Sequence, residues 1–488
     1  MNIKNKLSYM SRLRPDTSWL LPSIICAGFV ALYILIIHFE HQHYLDDTWS
    51  VTQSYYYLKF GKEFDYLAGY SDLHLAHFAK TYAFVYGAWA ELFGWGRIAH
   101  QVLSAILAWL GVLLWAKTFI QLGASRAMAV SFAIILPLSV AFIFSATRTR
   151  GDSLVFLLGA LAVWLAVNRY WFWATLVVLI AIETHPSGII YCFYVTGIWL
   201  ITNNLNQLDV YKRTALQVLP AVLLGIGYYL ILHYDNLDTI VSTISGSSYG
   251  GFWNDLSLKT YFWDSGRYRR HMLEFFLFVL SYIIVLWSIG PNRDKKTLLW
   301  KFIILCPAMI LLADLMIARG SDFYAIHFYP PLIILSIYAW SKIKFPVYLF
   351  PLLVSLYMLP QYGYWVYKNA NFYFPGYIDK VREHSKGIEP GVILGNYAHW
   401  FAFNNKKNAR KFVVEEHAYL FDKIDGKYIL WVNDYDRNNF INVGATKKLE
   451  KLKKALSVCP KEEFSSFDYG GHHVRFEGYD CRGVKLAL

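Results

Sequence analysis

Charge is what this chain of 488 residues has least of: Asp, Glu, Lys and Arg make up 16% of it, against 56% for hydrophobic residues and 18% for aromatics. Soluble domains carry roughly a quarter charged residues. A mean hydropathy of +0.32 therefore sets aside an ordinary water-soluble globule and points to a polytopic membrane protein. Cysteine is scarce as well, five in all. Cys26, Cys192 and Cys306 fall within apolar runs and read as small hydrophobes, which leaves Cys459 and Cys481 as the pair able to form a disulfide. No repeat at a fixed period, no low-complexity tract and no inverted pair of Gly/Pro-broken spans is present, so the usual signature of a secondary transporter is missing. The glycine-rich stretch Ser245 to Gly251 is not followed by Gly-Lys-Ser/Thr and is not a Walker loop. The net charge of +12 is spread in short basic clusters between apolar runs, with no single stripe for nucleic acid.

Those clusters orient helices instead. Apolar stretches long enough to cross a bilayer begin near residues 19, 98, 127, 153, 171, 188, 214, 272, 298, 328 and 345, about eleven transmembrane helices. The first, Trp19 to Ile37, follows Lys4, Lys6, Arg12 and Arg14 and lacks a small-residue cleavage site, so it reads as an uncleaved signal anchor. Excluding the run at 78–93 puts Lys117, Arg126, Arg169, Lys212, Arg213, Arg293, Lys295, Lys296, Lys342 and Lys344 on the cytoplasmic side with the N-terminus. Lys80 to Phe93 then lies along the outer surface as an interfacial helix, with Tyr82, Tyr86 and Trp89 at helical spacing, and Trp49 to Phe60 forms a second one. After a helical part spanning 1–360, residues 361–488 turn to mixed polar sequence. Strand-like runs at Gly391 to Leu394, Lys411 to Val414 and Tyr428 to Val432 predict a small extracytoplasmic α/β domain.

This topology gathers the unusual polar groups on the outer face. Asp46 and Asp47 begin an outer loop, where they read either as an N-cap for the interfacial helix or as reactive carboxylates. Arg148-Thr149-Arg150-Gly151-Asp152 brings a third carboxylate and two arginines to the same depth, and arginine's fork of donors suits a phosphate. His74 and His77 lie in the outer loop with Lys80 one turn on. Too few acidic partners accompany them for a zinc site, and each reads singly as an interfacial histidine. Glu183-Thr184-His185-Pro186-Ser187-Gly188 is an outer hairpin whose Glu183 and His185 are not needed for turning; they line a cavity or face headgroup water. Arg319 and His327 precede Pro330 and Pro331, which fit the opening turn of a helix whose end favours an anion.

With those motifs in order, the chain resembles the GT-C class of membrane glycosyltransferases, especially the branch using polyprenyl-phosphate sugars that includes protein O-mannosyltransferases and the aminoarabinose transferase. The resemblance rests on the acidic pair after the first span, His74, the Arg-x-x-x-Asp ending in Asp152, and Tyr329-Pro330-Pro331-Leu332, and covers about Trp19 to Pro360. It implies a GT-C-like helical fold and transfer of a sugar from a polyprenyl-phosphate donor to a glycolipid, polysaccharide or protein hydroxyl on the extracytoplasmic side. It implies Asp46 or Asp47 as general base, Asp152 as supporting carboxylate, and His74, His185, Arg319 or His327 as donor-phosphate contacts, to which His77, Arg148 and Arg150 are added from the residues. No cofactor is called for, and a divalent cation is left open. A phosphate leaves as a stabilised anion, so the chemistry needs chiefly a base for the acceptor and cations for the phosphate. The competing expectations are a lipid or sugar transporter, and a glycan polymerase or ligase using a diphosphate-linked donor.

Overall fold

The computed structural model describes residues 20–38, 45–61, 79–234, 297–316, 325–342, 349–369, 372–405, 411–415, 426–434, 443–470 and 472–484, with isolated positions at 237, between 276 and 284, and at 408 and 424. It is a mostly helical chain with a small C-terminal sheet. The helical part runs α1 (Leu20–His38), α2 (Leu45–Phe60), α3 (Lys80–Phe93), α4 (Arg97–Leu122), α5 (Arg126–Leu138), α6 (Val140–Ala146), α7 (Asp152–Val167), α8 (Trp171–Thr184), α9 (Ile190–Thr202), α10 (Leu208–His233), α11 (Leu298–Met316), α12 (Ala325–Lys342) and α13 (Leu349–Asn369).

Local chemistry sets the breaks. Gly123, in the left-handed conformation, ends α4, and Ser125 opens α5 by accepting from the Met128 amide. Pro137 and Ser139 divide the apolar run near 127 into two helices, Ser139 capping α6 through the Phe142 amide. The 14 residues of α3 extend about 21 Å, short of a hydrocarbon core of about 30 Å. Helices α4 and α10 are each long and apolar enough to cross a membrane. The run near 272 lies mostly outside the described residues.

Helix α4 packs on α1, α5 and α7; α7 packs on α8, α8 on α10, and α12 on α5 and α6. Trp115, Phe119, Phe132, Phe156, Tyr191 and Ile333 fill the core between them. On α10 the pattern inverts: Leu216 is 75% exposed and Ile231 81%. A soluble protein rarely leaves so continuous an apolar face uncovered, and lipid is the solvent that suits it.

Beyond α13 the chain forms α14 (Phe374–His384), β1 (Val392–Gly395), α15 (Trp400–Phe403), β2 (Phe412–Val414), β3 (Tyr428–Asp434), α16 (Val443–Leu456), β4 (Lys461–Tyr469) and β5 (His472–Asp480). The sheet order is β2-β1-β3-β5-β4, parallel among the first three and antiparallel at β5 and β4. Strand alternation gives it two dry faces. Ile393, Phe412, Leu430 and Phe476 point to α14 and α15, whereas Val392, Leu394, Ile429 and Trp431 pack with Leu452 and Leu456 of α16. Cys459 and Cys481 are joined as a disulfide beneath the second face. The first face continues into the helical part: Val51, Tyr55 and Tyr56 of α2 belong to its core, and the Trp400 indole donates to Tyr56 at 3.3 Å.

Candidate functional site

The turn between α6 and α7 carries Arg148, Arg150 and Asp152, and α7 opens on Asp152. That places a carboxylate where the helix dipole favours negative charge. The side chain is wholly buried. Oδ2 accepts from Arg150 Nε at 2.8 Å, while Oδ1, which makes no hydrogen bond among the described residues, faces His327 Nε2 at 3.9 Å.

His327 reaches that position because α12 begins at Ala325. The sequence reading put Pro330 and Pro331 in an opening turn. They lie instead inside the helix, one turn further on, and the reason they are tolerated is visible. Pro331 has no amide hydrogen to give the His327 carbonyl four residues back, and the Tyr194 hydroxyl donates to that carbonyl at 3.1 Å.

The His185–Ser187 turn continues the assembly. The Ser187 amide donates to His185 Nδ1 at 3.2 Å, which caps the 3₁₀ turn Pro186–Ile189. Gly188 is required there, since a Cβ would lie 2.4 Å from the Ala181 carbonyl carbon of α8. Ser187 Oγ sits 2.9 Å from His185 Nδ1 and 3.3 Å from His327 Nε2, and Tyr191 OH sits 3.0 Å from His327 Nδ1. One polarity satisfies all of these: Tyr191 donates to His327 Nδ1, His327 Nε2–H to Ser187, and Ser187 to His185. His327 Nε2 thus carries its hydrogen on the side where Asp152 lies.

Helix α3 closes over this turn. Glu183, at the end of α8, accepts from the Lys80 amide at 2.9 Å, the Thr81 amide at 3.1 Å and His233 Nε2 at 3.1 Å, so one buried carboxylate ties α3, α8 and α10 together. The Lys80 ammonium donates to the Leu232 carbonyl and stands 5.5 Å over the Tyr57 ring. Tyr82 donates to the Thr149 carbonyl, and Tyr86 pairs with Ser104 at 2.7 Å and with the Arg150 carbonyl at 3.4 Å. Burial holds the Tyr86 phenol well above its ordinary pKa, against the Ser104 hydrogen bond and with the Asp152 charge acting in the same sense. It stays a donor at any working pH.

Of the residues singled out from sequence, Arg150, Asp152, His185 and His327 meet in this assembly, with Arg148 buried in the same turn. Asp46 and Asp47 fall in the first turn of α2, not in a loop before it, as suits acidic residues at a helix N-terminus; their side chains lie outside the described residues, as do His74, His77 and Arg319 entirely. Among the described residues no group of three or more His, Cys, Asp or Glu is arranged to hold a metal. Sequence reasoning passed over Ser187, Tyr191 and Tyr194, which hold the two histidines. Their spacing of four and then three residues marks one helical face of an otherwise apolar run and was the available signal.

The arrangement of a helical core, the helices α2 and α3 after α1, and a small C-terminal sheet packed against α2 is a GT-C-like fold. The chain is similar over nearly its full length to the crystal structure of ArnT from Cupriavidus metallidurans bound to undecaprenyl phosphate. The TM-score is 0.54, covering 94% of this chain and 98% of that one, at 12% sequence identity. No protein-family model and no curated protein sequence matches the chain.

Proposed function

We propose that this protein is an inverting glycosyltransferase that moves a hexosyl or pentosyl unit from a polyprenyl-phosphate donor to a hydroxyl of a glycolipid, polysaccharide or protein. The observation that carries the reading is the coincidence of an ArnT-like fold with a buried Arg150–Asp152–His327 assembly roofed by interfacial helix α3. In this reading Asp46 or Asp47 takes the acceptor's proton, the acceptor oxygen attacks the anomeric carbon, and the bond to the donor phosphate breaks with inversion. The phosphate leaves as an anion, stabilised by the cations Arg148, Arg150 and Arg319 and by N–H donors drawn from His74, His77, His185 and His327. Asp152 orients the Arg150 fork. The cell-envelope setting belongs to the same proposal: a bacterial inner membrane crossed about eleven times by residues 1–360, the N-terminus cytoplasmic, and residues 361–488 periplasmic.

Asp46→Asn and Asp47→Asn, made separately and assayed by mass spectrometry for consumption of polyprenyl-phosphate sugar in membranes, test it. At least one is expected to lose about 10²–10⁴-fold in rate with folding intact. Full activity in both removes the base, and retained anomeric configuration in the product, read by NMR, removes the single displacement.

A further inference from the structure

Ser187 and Tyr191 have no task in the proposed transfer, yet with His327 they build a hydrogen-bond chain through the core. It starts deep. Tyr191 is wholly buried, its ring edge-on to the His327 imidazole with centroids 5.6 Å apart at 87°, and a Cβ on Gly159 would lie 2.0 Å from it, so the phenol is gripped in one position. Its hydroxyl has one hydrogen-bond partner among the described residues, His327 Nδ1 at 3.0 Å. His327 is also wholly buried and is held at two further points, Nε2 by Ser187 Oγ at 3.3 Å and its carbonyl by the Tyr194 hydroxyl at 3.1 Å. The chain ends on His185, which is half-buried.

The direction of that chain is forced. Asp152 Oδ1, 3.9 Å from His327 Nε2, would favour an imidazolium there. A proton on His327 Nδ1, however, would leave the buried Tyr191 O–H with no acceptor, and a stranded buried donor is costly. His327 therefore stays neutral with its hydrogen on Nε2, where Ser187 Oγ accepts it. Ser187 gives its own hydroxyl hydrogen to His185 Nδ1 at 2.9 Å, and the Ser187 amide donates to the same nitrogen at 3.2 Å. A ring nitrogen that faces two donors carries no hydrogen of its own, so His185 is neutral too and bears its hydrogen on Nε2.

We infer that Tyr191, His327 and Ser187 are positioning residues that fix His185 as a neutral N–H donor to the phosphate of the polyprenyl-linked sugar. The inference rests on the proposed function and deepens it: within this assembly His185 is the histidine that meets the phosphate, and His327 acts on it through Ser187. A donor that is already aimed costs no reorganisation when the phosphate arrives. Being uncharged, it holds an anion roughly half as strongly as an imidazolium would, which favours release of the phosphate after transfer.

The test is nitrogen-15 NMR of the full-length protein, labelled at histidine and held in detergent at neutral pH, together with titration by a polyprenyl phosphate. His185→Gln marks the His185 resonances among those of the 15 histidines. The parent is expected to carry the His185 hydrogen on Nε2 alone. Ser187→Ala is expected to shift the His185 Nδ1 resonance and to weaken polyprenyl phosphate binding about fivefold, and Tyr191→Phe, which keeps the volume, about threefold. The resonance is a readout that a packing role would not move, and either variant decides the matter if the other fails to fold. A hydrogen on His185 Nδ1 or on both of its nitrogens, or folded variants that bind polyprenyl phosphate as tightly as the parent, overturns the inference and leaves the proposed function standing. A parent that binds no polyprenyl phosphate overturns the proposed function, and this inference with it.

Discussion

Replacing Glu183 by Ala tests whether one buried carboxylate fixes helix α3. Helix α3 has no cap from its own sequence, because Ala79 at the N-cap offers no side-chain acceptor. Glu183 supplies that acceptor from 103 residues away, taking the Lys80 amide at 2.9 Å, and also takes Thr81 N–H at 3.1 Å and His233 Nε2–H at 3.1 Å. A buried donor stranded by loss of its partner costs about 1–3 kcal/mol, less where water can replace the partner. Lys80 and His233 are buried and Thr81 is half-buried, so Glu183→Ala is expected to destabilise by about 4 kcal/mol. Glu183→Gln keeps a carbonyl oxygen for one or two of the donors but turns an amide NH₂ toward another, and is expected to cost about 2 kcal/mol. Denaturant unfolding of the detergent-solubilised protein, followed by circular dichroism, reads both variants. An Ala variant within about 0.5 kcal/mol of the parent, the range of an unremarkable surface substitution, refutes the clamp. Equal losses for Gln and Ala would mean that α3 needs the negative charge and gains nothing from the acceptor's shape.

Gly159→Ala places a methyl 2.0 Å from the ring of buried Tyr191. It is expected to cost about 1–3 kcal/mol and to break the hydroxyl contact to His327, whereas Tyr191→Phe keeps the volume and loses about 1 kcal/mol. A Gly159→Ala variant as stable as the parent would show that α7 and α9 are not packed this closely. The Cys459–Cys481 bond closes a loop of sequence separation 22, so replacing both cysteines by Ser is expected to cost about 3 kcal/mol. Unfolding curves that do not change on adding reductant would show that the thiols are not joined.

Where a signal was local, sequence was enough. The aromatic spacing of Tyr82, Tyr86 and Trp89 marked out Lys80–Phe93, the helix that the structure contains, and β-branched and aromatic runs located β1, β2 and β3 to within a residue or two. Asp152, His185 and His327 could each be named as polar groups out of place in apolar surroundings, because burying such groups has a cost that function or pairing must offset. Their partners could not be named. Tyr194 completes the His327 carbonyl across 133 residues, Glu183 caps a helix 103 residues earlier, and the Trp400 indole meets Tyr56 across 344. Even the start of α12 was misread at its prolines, since only a hydroxyl arriving from α9 satisfies the carbonyl that Pro331 leaves bare. Periodicity and composition act along the chain and determined which segments are helix, strand or membrane-like. Hydrogen-bond partners and the meeting of charges depend on which surfaces pack together, and only the tertiary structure decided that.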